Sequence, residues 1–176
     1  MVHFFSLLGS GSFVEVLAWF LDNPSAKATA AQLVRKTGLA KRSVYQAVEK
    51  LAGTGLLKRE VVGRASVYSL ERGSPLAKEL KRLKTVAWLG EKLAKQDFEG
   101  LQVFLYGSAG RGEDSEKSDV DLLVIGGEEK RRSPRVAGLA SEKTRVVFMT
   151  PTEYADLARN DKAFYESIER DKIKLV

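Results

Sequence analysis

Apolar residues along the chain recur first at helical and then at strand spacing, and each change of period marks an element. Between Gly11 and Leu21, the residues Phe13, Val14, Val16, Leu17, Phe20 and Leu21 share a helical face, and Asn23-Pro24 stops the run. Thr29, with Gln32 three residues on, has the form of a capping box; Ala30, Leu33 and Val34 then stripe a short second helix that ends before Gly38. Beyond Gly38-Leu39-Ala40, the positions Val44, Ala47, Val48 and Leu51 predict a third helix reaching Gly53 and Gly55. Leu56 to Val62 and Ala65 to Leu70, rich in Val, Leu and Tyr around Gly63-Arg64, have the pattern of a β-hairpin. Ser74-Pro75 opens a long helix to about Lys95 on Leu76, Leu80, Leu83, Ala87 and Leu93. Further on, Leu101 to Tyr106 and Leu122 to Ile125 are apolar runs of strand length.

Three helices followed by a hairpin make a winged helix-turn-helix, an α+β unit, the predicted fold of the N-terminal part. If its third helix enters the major groove of duplex DNA, Lys41, Arg42, Ser43, Tyr45 and Gln46 face the bases and avoid the core stripe. Arg64 at the hairpin tip, with Lys58 and Arg59 on the strand before it, is placed for phosphates. Winged helices also dock proteins, which is the alternative use of this face. Charge favours DNA: residues 1–75 hold 10 Lys+Arg against 5 Asp+Glu, whereas residues 76–176 hold 19 against 18. The predicted organisation is a DNA-binding domain over 1–74, a connecting helix over 75–97 and a second domain over 98–176. Part of that helix's apolar stripe could pack against a second copy, and a homodimer matches a two-fold operator.

Composition removes several chemistries. The 176 residues include no cysteine and one histidine, so disulfides, thiolate metal sites and cysteine nucleophiles are excluded and a histidine-based zinc site is disfavoured. The lone His3 is expected to be no ligand, and Trp19 and Trp88 are expected to anchor cores. The start lacks a signal-peptide pattern and no apolar run approaches membrane-spanning length, so the expected location is the cytoplasm, with no membrane partner. The charge run Glu128 to Arg135 is expected as a solvated loop.

The chemical signal lies in the second part. The strand ending at Tyr106 runs into Gly107-Ser108-Ala109-Gly110-Arg111-Gly112, a turn where backbone can approach phosphates closely. Ten residues after Ser108 the chain reads Ser118-Asp119-Val120-Asp121 and continues as a buried strand. Residues two apart in a strand share a face, with Cα atoms about 7 Å apart, so both carboxylates can serve one site. Two neighbouring carboxylates call for a compensating cation, and an all-oxygen pair suits Mg²⁺ or Mn²⁺. Arg111 is a candidate for the phosphates at the other end.

Tyr106-Gly107-Ser108, Arg111-Gly112 and Ser118-Asp119-Val120-Asp121-Leu122-Leu123-Val124 resemble the signature of minimal nucleotidyltransferases in the DNA polymerase β superfamily. The tail from Met149 to Leu175 resembles them too. With the first part, the chain resembles winged-helix transcriptional regulators carrying a nucleotidyltransferase domain. The resemblance implies an α/β fold on a small mixed sheet, with Gly107 and Ser108 binding a nucleoside triphosphate and Asp119 and Asp121 as metal ligands and catalytic acids. Catalytic members of that family carry a third carboxylate on the neighbouring strand. Here that strand, Thr144 to Thr150, has no acid, and the position falls near Arg145 or Val146, with Glu142 and Glu153 flanking. Two functions therefore stand open. One is a transcriptional regulator whose second domain binds Mg²⁺ and a nucleotide as a sensor. The other is an active transferase that moves a nucleotidyl group to a hydroxyl, including that of a toxin partner, with the winged helix serving recruitment.

Overall fold

The computed structural model describes residues 11–94 and 97–176. His3 and the expected helix end at Lys95 lie outside them. The chain divides into two compact units, Met1–Lys81 and Arg82–Val176.

The first unit opens with α1 (Ser12–Asp22), which buries Val16, Leu17, Phe20 and Leu21. Next come β1 (Lys27–Thr29) and α2 (Ala30–Thr37), whose capping box is formed reciprocally: Thr29 accepts from the Gln32 backbone and Gln32 from that of Thr29. Gly38, in the left-handed region at φ 72°, ends α2 and lets the chain turn within three residues into α3 (Lys41–Gly53). β2 (Leu57–Val62) and β3 (Ala65–Leu70) pair antiparallel in full register from Leu57↔Leu70 to Val62↔Ala65. β1 adds to the outer side of β3 through Ala28↔Tyr68, giving the order β1-β3-β2. β1 has no periodic signal of its own, because three residues are too few to establish a period. Leu33, Val44, Val48, Leu51 and Phe20 are fully buried between the helices, each stabilising the unit by roughly 1.5–3 kcal/mol relative to exposure. Trp19 is half-buried, edge-on to Phe20, so it flanks this core rather than filling it.

The helix α4 (Pro75–Leu93) leads into the second unit. There β4 (Leu101–Tyr106), a one-turn helix α5 (Gly107–Gly110), β5 (Val120–Gly126), the short α6 (Pro134–Ala137) and β6 (Thr144–Met149) follow in turn. They are completed by α7 (Pro151–Asn160), α8 (Lys162–Asp171) and β7 (Ile173–Lys174). The sheet order is β6-β5-β4-β7; β5 and β6 are parallel and the other pairs antiparallel, so the fold is α/β on a mixed sheet. Alternation along the strands loads both faces. Val103, Leu105, Leu122 and Val124 pack with Leu89, Leu93, Val136 and Leu139, whereas Phe104, Tyr106 and Leu123 pack with Ile168. Burial on both faces explains the unbroken apolar runs.

Two expectations are corrected here. Asp119, after a glycine-rich turn that forms one turn of helix, lies one residue ahead of β5 instead of inside it. The charge run is not a free loop: it forms a 3-10 turn at Glu128–Lys130, then α6, capped by the Ser133 side chain. Its Arg131 reaches Glu153 at 2.6 Å and Glu128 at 2.8 Å.

Candidate functional site

Around Asp121 the second unit is shaped by one glycine. Tyr106 and Asp121 are cross-strand partners at the end of the β4–β5 ladder, so the chain leaving β4 must bend immediately over the Asp121 side chain. Gly107 makes that bend at φ 71°. A Cβ at this position would stand 2.8 Å from Asp121 Oδ2, so the conformation and the close approach each require glycine. The Ser108 carbonyl accepts from the Glu113 amide at 2.8 Å, which folds the following loop back on the turn. Farther along, the Ser118 hydroxyl accepts from the Ser115 amide at 2.9 Å and fixes the approach to Asp119.

The neighbouring strand supplies a cation. In the parallel β5–β6 register, Asp121 stands opposite Arg145. Strand alternation puts Arg145 on the face that carries Asp121, and its Nε donates to Asp119 Oδ2 at 2.6 Å. Arg145 is 76% exposed and Asp119 27%, so solvent screens the pair and its contribution to stability is about 0–1 kcal/mol. Burial pushes the Asp121 carboxyl above its ordinary range; Arg145 opposes that rise and Asp119 adds to it. Tyr106, buried beside it, is pushed up by its own burial and by the charge of Asp121.

Arg111 is paired with two acidic side chains. Its Nε donates to Glu113 at 2.8 Å, and Nη1 binds Asp171, whose side chain is only 5% exposed. Arg170 Nε completes the cluster on Asp171 at 3.0 Å. Burial alone would raise the Asp171 carboxyl, but the hydrogen bonds from Arg170 and Arg111 outweigh it and hold the carboxyl below its usual value. Arg111 thus ties the glycine turn to the end of α8. Asp171 gave no signal in the sequence, since 60 residues separate it from Arg111. Glu153 is likewise occupied, capping α7 at Thr150 and pairing with Arg131. Among the described residues no group of three or more His, Cys, Asp or Glu is placed to hold a metal ion.

Concavity alone would lead elsewhere. A cavity of about 660 Å³ is lined by Leu101, Gln102, Gly126, Gly127, Lys172 and Lys174 among others, at the strand ends opposite those bearing Tyr106 and Asp121. Neither Asp119 nor Asp121 lines that cavity.

In the first unit, Lys41, Arg42, Tyr45 and Gln46 are exposed along one side of α3, with Ser43 half-buried, and Arg64 is exposed at the hairpin. Lys41 Nζ lies 5.9 Å from the centre of the Tyr45 ring. The other two basic candidates have acidic neighbours: Lys58 pairs with Glu60 at 3.2 Å, and Arg59 with Glu49 at 3.3 Å. Glu49 also accepts from the Tyr68 hydroxyl at 2.5 Å. A cavity of about 430 Å³ between α3 and the hairpin includes Tyr45, Glu49, Arg59 and Arg64 in its lining. The free basic surface of this face is therefore Lys41, Arg42 and Arg64, rather than all five cations.

Two solved structures share limited similarity with the chain. The crystal structure of M. tuberculosis Rv0081 is 22% identical with a TM-score of 0.35, covering 52% of this chain and 83% of that one. A structure described as "a putative nucleotidyltransferase from Sulfolobus solfataricus" is 17% identical with a TM-score of 0.36, covering 58% of this chain and 88% of that one. At these scores neither likeness bears on function. No curated protein matches the chain significantly. No helix among the described residues is long and apolar enough to cross a membrane. The family model for the nucleotidyltransferase domain matches residues 90–175, which span the whole sheet, the glycine turn and both aspartates. Over residues 90–175 the chain is thus similar to nucleotidyltransferase domains.

Proposed function

We propose that the chain is a DNA-binding regulator whose nucleotidyltransferase domain binds a nucleoside triphosphate without transferring it efficiently. The observation that carries this reading is Arg145. It stands opposite Asp121 and holds Asp119, on the strand where catalytic members of the polymerase β superfamily carry a third carboxylate, near Arg145 or Val146. In place of a carboxylate that would help hold the metal activating a hydroxyl nucleophile, the site has a guanidinium cation, which cannot ligate a metal ion. Gly107 and Ser108 remain in position to receive phosphates, with the backbone brought close by the absence of a side chain at Gly107.

Nucleotidyltransferase domains generally use divalent metals, and the donor chemistry fits: Asp119 and Asp121 offer hard oxygen ligands, and the charge cost at half-buried Asp121 is of the kind a cation relieves. Those two residues would hold Mg²⁺ or Mn²⁺, which would neutralise part of the triphosphate charge. Arg145 adds a further positive group for the phosphates.

The first unit supports the regulator half of the reading. Its three helices and paired hairpin have the order of a winged helix, with α3 as recognition helix and Lys41, Arg42 and Arg64 as phosphate or base contacts. A two-fold dimer would present two such helices to a pseudo-palindromic site. Fluorescence anisotropy with labelled duplex DNA tests this. The Lys41→Ala, Arg42→Ala double variant is expected to weaken binding and to lower the slope of log K against log salt by roughly 2. Unchanged affinity and slope would make the unit a protein-docking module.

A further inference from the structure

We propose that Arg145 is the resident cation of the two-aspartate site and sets how tightly that site takes a divalent metal. The inference rests on the reading of Asp119 and Asp121 as the metal ligands and extends it to a residue that works against the metal. Three observations combine. The parallel register fixes the backbone of Arg145 opposite Asp121, so the guanidinium cannot leave the neighbourhood without a side-chain rotation. Its Nε occupies Asp119 Oδ2 at 2.6 Å, one of the carboxylate oxygens that the aspartate pair would offer to a metal ion. With 76% of its side chain exposed, Arg145 can swing into solvent without opening the core.

Charge counting gives the direction. Two carboxylates alone present a charge of −2 to an incoming ion; with Arg145 in place the cluster carries −1. An ion entering the site must also displace the guanidinium from Asp119 or sit beside it. At about 6 Å in a water-like dielectric, the repulsion between a single and a double positive charge amounts to roughly a tenfold change in affinity. That repulsion is screened as salt rises. The arrangement thus favours a metal arriving with its own negative charge, as a metal–triphosphate does, over the bare ion. Arg145 released from Asp119 can then pair with a phosphate.

The test is Mn²⁺ binding without nucleotide, followed by the electron paramagnetic resonance signal of free Mn²⁺, on the full chain and its variants at about 50 mM salt. Arg145→Gln is expected to tighten Mn²⁺ roughly tenfold, the gain shrinking as salt is raised. Arg145→Lys, which keeps the charge, is expected to stay within about threefold of the parent, and adding Asp119→Asn to Arg145→Gln is expected to abolish the gain. Equal Mn²⁺ affinity in the parent and Arg145→Gln, including no binding by either, would overturn the proposal. Triphosphate binding measured separately in chelator keeps the outcomes distinct. Its loss would count against the nucleotide reading while leaving the Mn²⁺ comparison intact.

Discussion

Gly107→Ala is the sharpest local probe of the site. The backbone there is left-handed at φ 71°, which costs a residue with a Cβ about 1–2 kcal/mol. The new methyl would stand 2.8 Å from Asp121 Oδ2, so Asp121 must turn away from its present rotamer at about 0.5–1.5 kcal/mol more. Together these come to about 1.5–3.5 kcal/mol, or a fall in Tm of roughly 6–28 °C for a unit of this size. Urea unfolding in a Trp19→Phe background reads the second unit through Trp88, which packs partly buried against its core. The two contributions separate in a double-mutant cycle. Asp121→Ala removes the carboxylate that the methyl meets, so Gly107→Ala is expected to cost about 1 kcal/mol less in that background. A loss below about 0.5 kcal/mol in the parent would refute the close approach. An identical loss in both backgrounds would show that Asp121 does not lie against Gly107.

Other expected outcomes concern the frame around the site. Asp171→Asn leaves Arg111 and Arg170 without their shared carboxylate and is expected to cost about 1–3 kcal/mol at pH 7, since Asp171 is nearly buried but both arginines reach solvent. The pH dependence follows from the lowered carboxyl. The contribution is full above the unfolded value of 3.8 and is lost as pH falls through the lower folded value, so the gap between parent and Asp171→Asn should close only under strong acid, as denaturant titrations at stepped pH will show. Thr150→Ala breaks the capping box of α7 and is expected to destabilise the second unit by about 1 kcal/mol in the same unfolding assay, an effect that Thr150→Ser should largely restore.

Periodicity made most of the elements readable, and the reasons for the gaps are physical. Both hairpin strands, the Thr29–Gln32 cap and the β4 boundaries could be read because each rests on residues close in sequence. β1 and β7, of three and two residues, exist through their partners β3 and β4, so no local signal announces them. The Gly-Ser turn and the aspartate pair were legible as a site because strand, turn and carboxylates follow one another directly. That Arg145 stands opposite Asp121 depends on the β5–β6 register, which a 17-residue connection leaves undefined until the sheet is built. The same limit applies to basic surface charge. Lys58 has its partner Glu60 two residues along the same strand, whereas Glu49 emerges as the partner of Arg59 only once β2 lies beside α3.

The most direct test of the central claim is incubation of the purified chain with Mn²⁺ and each α-labelled nucleoside triphosphate, with and without cell extract, alongside an Asp119→Asn, Asp121→Asn control. The account expects label retained by the native protein, reduced in the control, and released unchanged on denaturation. Label moved covalently to any acceptor, and absent from the control, would contradict it and make the chain an active transferase despite Arg145.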